Sequence, residues 1–477
     1  MIRISPALAA LAGAVSLLAG CGPARLTADQ TCQSAVYRLA DDRLIDITPA
    51  DGADLRWRLD DGRTGRLAAK DHWSSTLGWT GTPDGVAVRL GPCGAGSMTF
   101  ADNGAKPAVG LRVPLITRDA RFASGDVTLH GRLVMPPGDG KVPVVVEVHG
   151  SEKDAATVYN FLQRLYPAQG LGVFVYDKRG TGQSGGKYTQ DFQVLARDAA
   201  AAAGEARKLA GARLTRLGFQ GTSQGGWVAP LAATMTPVDF VAVDFGLAGS
   251  PAEENTDQTV LELARKGYGP ADLGGAAEVA RATNAVLASR FHGGYAQLDA
   301  ARAKYRDKPW FRHLNGQFTG QIIKYPDWVL KVVGPAFDVG TPAYYDPLPV
   351  LAEVRAPMLW VLADEDTMAP NATTRRRLAA LVARGRPITV LAFPATDHGI
   401  MEFVTARDGE RTETRYADGY LRTTLDWAKT GALQPPYGRS ALLFAPAAPD
   451  PRAASLASTR PRPLARAVTT PRKVRTS

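Results

Sequence analysis

"LGFQGTSQGGW", residues Leu217 to Trp227, decides how this chain folds. A short apolar run ends at Gly221, and Ser223 stands between Gly221 and Gly225. The pattern G-x-S-x-G is weak by itself in a chain with 49 glycines. Its surroundings give it weight. "RLGFQG" reads as a buried strand and "GGWVAPLAA" as the start of a helix. Ser223 is therefore expected on a strand-to-helix turn. Small neighbours let the backbone turn sharply there and lift the hydroxyl out at the strand end. The helix N-terminus behind it favours nearby negative charge.

Working outward, "VPVVVEVHG", "LGVFVYDKRG", "DFVAVDFG" and "APMLWVLADED" are Val/Leu/Phe-rich runs that end in Gly or Asp. Helical stretches separate them, at 155–169, 191–210 and 226–234. Continuous apolar runs alternating with helices predict an α/β fold, a doubly wound and mostly parallel sheet covered on both faces. Ligands bind such sheets at the carboxyl ends of the strands. From about residue 250 to 346 the rhythm breaks. This stretch is helix-like and rich in aromatics, among them Tyr305, Trp310, Phe311, Tyr325, Trp328, Phe337, Tyr344 and Tyr345. It reads as an inserted helical lid whose aromatics mostly form its own core, with some lining an apolar substrate pocket.

Residues 21–117 have a different texture. Short apolar-polar alternations are punctuated by Asp51-Gly52, Asp61-Gly62 and Asp84-Gly85, which is hairpin chemistry. A small β-rich module is expected, followed by an antiparallel hairpin over 120–138. The main domain then runs over 118–430. The beginning, "MIRISPALAALAGAVSLLAGC", combines Arg3, a short apolar stretch and small residues before Cys21. It is too short to span a membrane comfortably and reads as a secretory signal over residues 1–20. Its Leu-Ala-Gly-Cys end resembles the lipobox of bacterial lipoproteins. That resemblance implies cleavage before Cys21 and a lipid anchor there, on the periplasmic side of an envelope membrane. In an oxidising compartment the remaining pair, Cys32 and Cys93, suggests one disulfide.

The net charge of +10 is uneven. Eight basic residues lie after Gly431 against the single acid Asp450, leaving +3 for the rest. The stretch 431–477 is Pro-, Ala- and Arg-rich without helix or strand period, so a disordered basic tail is expected. The basic balance thus says little about the folded body, and an envelope protein is not expected to bind nucleic acid.

A serine nucleophile needs a base. Of six histidines, only His398 in "FPATDHGI" combines a position after the serine with a loop following a late strand. The base needs an orienting carboxylate, and Asp364, Glu365 and Asp366 end an apolar strand before it. Spacing alone does not choose among the three. Two backbone N–H groups are expected to bind an oxyanion: that of Gln224, after the nucleophile, and that of Ser151, after "HG" at the end of the first core strand. No Cys/His cluster suggests a metal, and this chemistry calls for no cofactor.

Together "VVVEVHGS", "VFVYDKRGTGQSGG", "GFQGTSQGGWVAPLAA", "LWVLADEDTMAP" and "TDHG" resemble the α/β-hydrolase superfamily. Within it the resemblance is to bacterial hydrolases of the esterase and serine-aminopeptidase-like kind, over about residues 118 to 429. The family pattern D-x-x-x-P falls on Asp366, which makes it the implied acid. Asp177 and Arg179 then belong to a loop with a structural role. Ser151-Glu152-Lys153 departs from the glycine run that many such esterases carry after His-Gly. The resemblance implies hydrolysis of a small ester or acyl substrate. An aminopeptidase would need an acidic cluster for a free amine, which Glu253, Glu254 and Asp257 could supply. A non-catalytic envelope lipoprotein on the same scaffold is the remaining alternative.

Overall fold

The computed structural model describes residues 26–71 and 73–446. The expected signal segment and Cys21 lie outside the described residues. Strands β1 (Ala35–Leu39), β2 (Leu44–Pro49), β3 (Leu55–Leu59), β4 (Thr64–Ala68), β5 (Ser74–Leu77), β6 (Pro83–Leu90), β7 (Ser97–Ala101) and β8 (Ala108–Arg112) close into an antiparallel barrel. Strand alternation fills it: Tyr37, Ile45, Ile47, Leu55, Trp57 and Phe100 pack inside. With its interior occupied by side chains, the barrel is a solid module. A disulfide joins Cys32 to Cys93, with Cα atoms 5.7 Å apart.

The second domain is built on a nine-stranded sheet. Its strands are β9 (Ile116–Ser124), β10 (Val127–Met135), β11 (Val142–Val148), β12 (Gly172–Tyr176), β13 (Leu214–Thr222), β14 (Phe240–Asp244), β15 (Met358–Ala363) and β16 (Ile388–Phe393), with β19 (Ala441–Phe444) at the far edge. Strands β11 to β16 run parallel, and antiparallel strands flank them at both ends. After β12 the chain returns to the other side of β11 to form β13. That reversal opens a crevice at the carboxyl ends of β11 and β13.

The sheet is buried on both faces. Val144, Val146, Phe219, Val241 and Trp360 pack beneath the helices Phe192–Ala210 and Gly225–Met235. Val145, Val173, Phe240 and Leu359 pack on the opposite side with the helix Tyr420–Thr430. The expected helix over 155–169 is broken into single turns, Ala156–Tyr159 and Leu162–Leu165, before a 3-10 turn at Pro167. Between β14 and β15 lies the helical insertion, from Pro251 to Glu353. It has its own core around Val279, Leu298 and Trp310, while Tyr325, Trp328, Phe337 and Tyr344 are exposed.

Order persists into the stretch whose composition suggests a tail. The chain stays packed past Gly431: Tyr437 is buried and donates to Asp426 at 2.9 Å, and β19 pairs with β16. Backbone pairing at an open sheet edge supplies order that side-chain periodicity does not advertise. The expected tail beyond residue 446 lies outside the described residues.

The barrel docks on the second domain through its outward residues. Arg164 grips the buried carboxylate of Asp46, on β2, at 2.6 Å and 3.1 Å. A hairpin of β17 (Met401–Thr405) and β18 (Arg411–Tyr416) completes the contact. Trp79 N–H donates to the Glu413 carbonyl at 2.9 Å, and Tyr416 N–H to that of Gly62 at 3.0 Å.

Candidate active site

Ser223 leaves β13 with φ at 51°, in the left-handed region that costs a non-glycine residue about 1–3 kcal/mol. The turn is over-determined by its surroundings. Ser223 N–H donates to the Asp244 carbonyl at 3.0 Å, and Gly226 N–H donates to the Ser223 carbonyl at 2.8 Å. A Cβ on Gly225 would collide with the Val148 carbonyl, and one on Gly221 with that of Gly225. Only hydrogens fit where the helix start crosses the strand ends, which explains why glycines box the serine.

The loop after β16 carries His398 to the serine. Its Nε2 lies 3.1 Å from Ser223 Oγ, and its Nδ1 lies 3.0 Å and 3.2 Å from the two oxygens of Asp366. Asp366 is buried and fixed by N–H bonds from Ala369 at 2.7 Å and Met368 at 3.1 Å. Its acidic neighbours turn elsewhere: Asp364 pairs with Arg375 and Glu365 with Arg411. Burial disfavours the imidazolium form of His398. The acids around it, Asp366 first and then Glu254 and Asp397, more than offset this, and the pKa of His398 rises above its usual value. The ring of Phe245 meets the imidazole edge-on, with centroids 4.9 Å apart.

Gly150 and Ser151 follow β11 directly beside this pair. A Cβ on Gly150 would stand 3.3 Å from that of Ser223. The buried Lys178 donates to the Gly150 carbonyl, and Tyr188 OH donates to that of Ser151 at 2.5 Å. A trans peptide carries its N–H opposite its C=O, so Lys178 fixes where the Ser151 N–H points. Gln224, whose N–H is the other expected donor, caps the helix that starts at Gly225. Of the neighbouring loop residues, Asp177 accepts from Thr157 and Gln183 at 2.9–3.0 Å, and Arg179 pairs with Asp198 at 2.6 Å. Both hold the loop that presents Lys178.

Three further residues of the site escape sequence reading. Asp397, next to the base, accepts N–H bonds from Thr367 at 2.7 Å and His398 at 2.9 Å, and pairs with Arg411 at 2.9 Å. Lys178 sits between two residues whose structural role is legible from the sequence. Glu147 stands in the core strand "VPVVVEV", buried opposite Gln220 in the adjoining strand. Its one signal in the sequence is an acid inside an apolar run.

Ser223 and His398 open into a cavity of about 710 Å³. Its wall includes Tyr159, Phe161, Met401 and Tyr416, and two residues of the barrel, Arg58 and Trp79. None of the insertion's aromatics lines it. The aromatic wall expected from the lid is supplied instead by the loop after β11 and by the β17–β18 hairpin, with Arg58 and Trp79 of the barrel beside them.

A strained serine between a parallel strand and a helix, in hydrogen-bond reach of a histidine after the last parallel strand, sits where residues 141–250 match the family described as serine aminopeptidase, S33. The second domain has the α/β-hydrolase fold. Solved structures similar to this chain include an esterase of Pyrococcus furiosus, at 15% identity and TM-score 0.38, covering 60% of this chain and 83% of that one. An acylaminoacyl peptidase of Pyrococcus horikoshii is 15% identical at TM-score 0.38, over 76% of this chain and 52% of its own. A proline iminopeptidase of Mycobacterium smegmatis is 19% identical at TM-score 0.36, over 59% and 92%. No curated protein matches this chain.

Proposed function

We propose that this α/β-hydrolase is a serine hydrolase that cleaves carboxylic esters. The carrying observation is the hydrogen-bonded line from Ser223 Oγ through His398 to Asp366. Ser223 attacks the acyl carbonyl while His398 Nε2 takes its proton. The N–H groups of Gln224 and Ser151 receive the oxyanion. His398 then protonates the departing alcohol, and activates a water that frees the acid from the acyl-enzyme. Asp366 holds the Nδ1–H and stabilises the imidazolium.

The acids available for a substrate amine favour ester over peptide cleavage. Glu253 is engaged by Arg377 at 2.7 Å and 2.8 Å. None of Glu253, Glu254 and Asp257 lines the cavity that holds Ser223 and His398. Turnover of p-nitrophenyl esters should exceed that of aminoacyl anilides, with fluorophosphonate labelling abolished by Ser223→Ala. Anilide turnover far above ester turnover would instead make this a peptidase, and labelling that survives Ser223→Ala would remove the enzyme reading. The Leu-Ala-Gly-Cys segment supports a lipid anchor at Cys21, and mass spectrometry of the mature N-terminus tests it.

A further inference from the structure

Alternation along β3 sends Leu55, Trp57 and Leu59 into the barrel and Arg56 and Arg58 outward. On a free module those arginines would face water. Here the outward face is covered by the hydrolase domain, and Arg56 is only 7% exposed. Arg58 lies at the junction of two hollows. One is the cavity that contains Ser223 and His398, and the other is an adjoining recess of about 530 Å³ lined also by Arg56, Arg66 and Trp79.

Among the described residues neither cation is paired with a carboxylate. Arg56 donates to the Gly78 carbonyl at 2.8 Å and stacks over the Trp79 ring at 4.0 Å, both neutral partners. Arg58 lies over the ring of Phe161 at 4.4 Å, which satisfies the face of the guanidinium but not its edge. The Arg58 Nε and Nη1 atoms are buried and find no acceptor among the described residues. Burying a charged donor without a partner is costly, so such groups are retained where something else completes them. Arg66 is already committed to Asp54 at 2.7 Å. Asp51 and Asp154 line the recess too, yet neither bonds Arg56 or Arg58 among the described residues. Burial, together with repulsion from Arg58, lowers the pKa of Arg56 to about 10, the direction expected of uncompensated neighbouring cations.

We propose that the seam between barrel and hydrolase domain is an anion subsite, in which Arg58, backed by Arg56, receives a carboxylate carried by the ester substrate. The substrate class is then an ester of a dicarboxylic acid, or an ester with another carboxylate-bearing end. The barrel thereby acquires a role in substrate choice, as the wall that reads charge. This rests on the reading of Ser223 as an ester-cleaving nucleophile, and the test separates the two.

The full chain is assayed with p-nitrophenyl butyrate and with the mono-p-nitrophenyl ester of glutarate, and binding of free glutarate to Ser223→Ala is followed by calorimetry. The expected result is a kcat/KM for the glutarate ester at least tenfold above that for butyrate. Arg58→Gln should cut that ratio at least tenfold and weaken glutarate binding by a similar factor. Arg58→Lys, which keeps the charge, should retain part of both and guards against misfolding of the Gln variant. Glutarate binding that is absent, or equal with Arg58 and with Gln, overturns the anion subsite whatever the turnover. Glutarate binding that depends on Arg58, without any Ser223-dependent ester turnover, overturns the hydrolase reading and leaves the subsite standing.

Discussion

The Asp397 carboxylate accepts the backbone N–H of Thr367 at 2.7 Å, tying the loop that carries His398 to the loop that carries Asp366. Thr367 Oγ1 adds a bond at 2.9 Å, and Arg411 holds the other oxygen. The line from Ser223 to Asp366 depends on two loops 32 residues apart holding register. Asp397→Ala should lower kcat by roughly 10–100-fold, because a displacement of about 1 Å at reacting groups costs that order of rate. KM should move far less. Steady-state kinetics on one activated ester checks this, and an unchanged kcat would show that the loops align without the tie.

The base should titrate high. Asp366 first, and then Glu254 and Asp397, raise the pKa of His398 above its usual value despite burial, and the base acts only when neutral. Activity should therefore fall on the acid side through an apparent pKa above about 6.5. Asp366→Asn removes the charge that favours imidazolium, so the acid limb should move down in pH. The Met368 and Ala369 N–H groups hold one oxygen, so the carboxamide turns its NH2 toward Nδ1 and imposes the wrong tautomer, and kcat should drop on the order of 10³–10⁴-fold. A pH profile of kcat/KM for both proteins decides it.

Lys178 orients the Gly150–Ser151 peptide through the Gly150 carbonyl. Lys178→Met keeps most of the apolar stem and loses the bond. Loss of one fully formed oxyanion donor costs about 10²–10³-fold in kcat. Loosening its support should cost a fraction of that, roughly 10-fold or more, with little change in KM. A loss carried entirely by KM would place Lys178 in substrate binding instead.

Glu147 makes stability fall as pH rises. Burial first, and then the neighbouring Asp244, push its carboxyl from 4.5 to about 8. Between those values the folded state holds a proton that the unfolded chain has released, so unfolding becomes easier with increasing pH. The loss is complete above the folded value and absent below the unfolded one. Glu147→Gln, neutral throughout, should flatten this slope and gain on the order of a few kcal/mol relative to the parent near pH 8. Urea unfolding at pH 5 and pH 8 measures it, and parallel slopes for the two proteins would exclude a buried proton on Glu147.

The barrel should come loose before it melts. Arg164→Ala leaves Asp46 as a buried charge without its partner, a change that typically costs about 3–5 kcal/mol. Adding Asp46→Asn should recover much of that loss. Limited proteolysis of the barrel-hydrolase junction, with thermal melts of both variants, provides the readout.

Chain order and local chemistry determined a good deal. Continuous apolar runs alternating with helices marked a parallel sheet, because strands buried on both faces show no polar period. Asp-Gly punctuation marked the β-rich module. Glycines around Ser223, and the positions of His398 and Asp366 at strand ends, marked the candidate chemistry. These signals are local, since each arises from the backbone needs of a few consecutive residues.

What the tertiary structure alone decided is non-local. That β4 and β18 meet, so that Arg58 and Trp79 line the same cavity as the serine, follows from the docking of two modules distant in sequence. The alternation in "LRWRL" told that Arg56 and Arg58 face away from the barrel core. It did not say whether water or protein waits on the other side, because a strand pattern records which residues share a face and not what covers it. For the same reason the tail segment that pairs with β16 read as formless. Its order comes from an exposed sheet edge, contributed by another part of the chain.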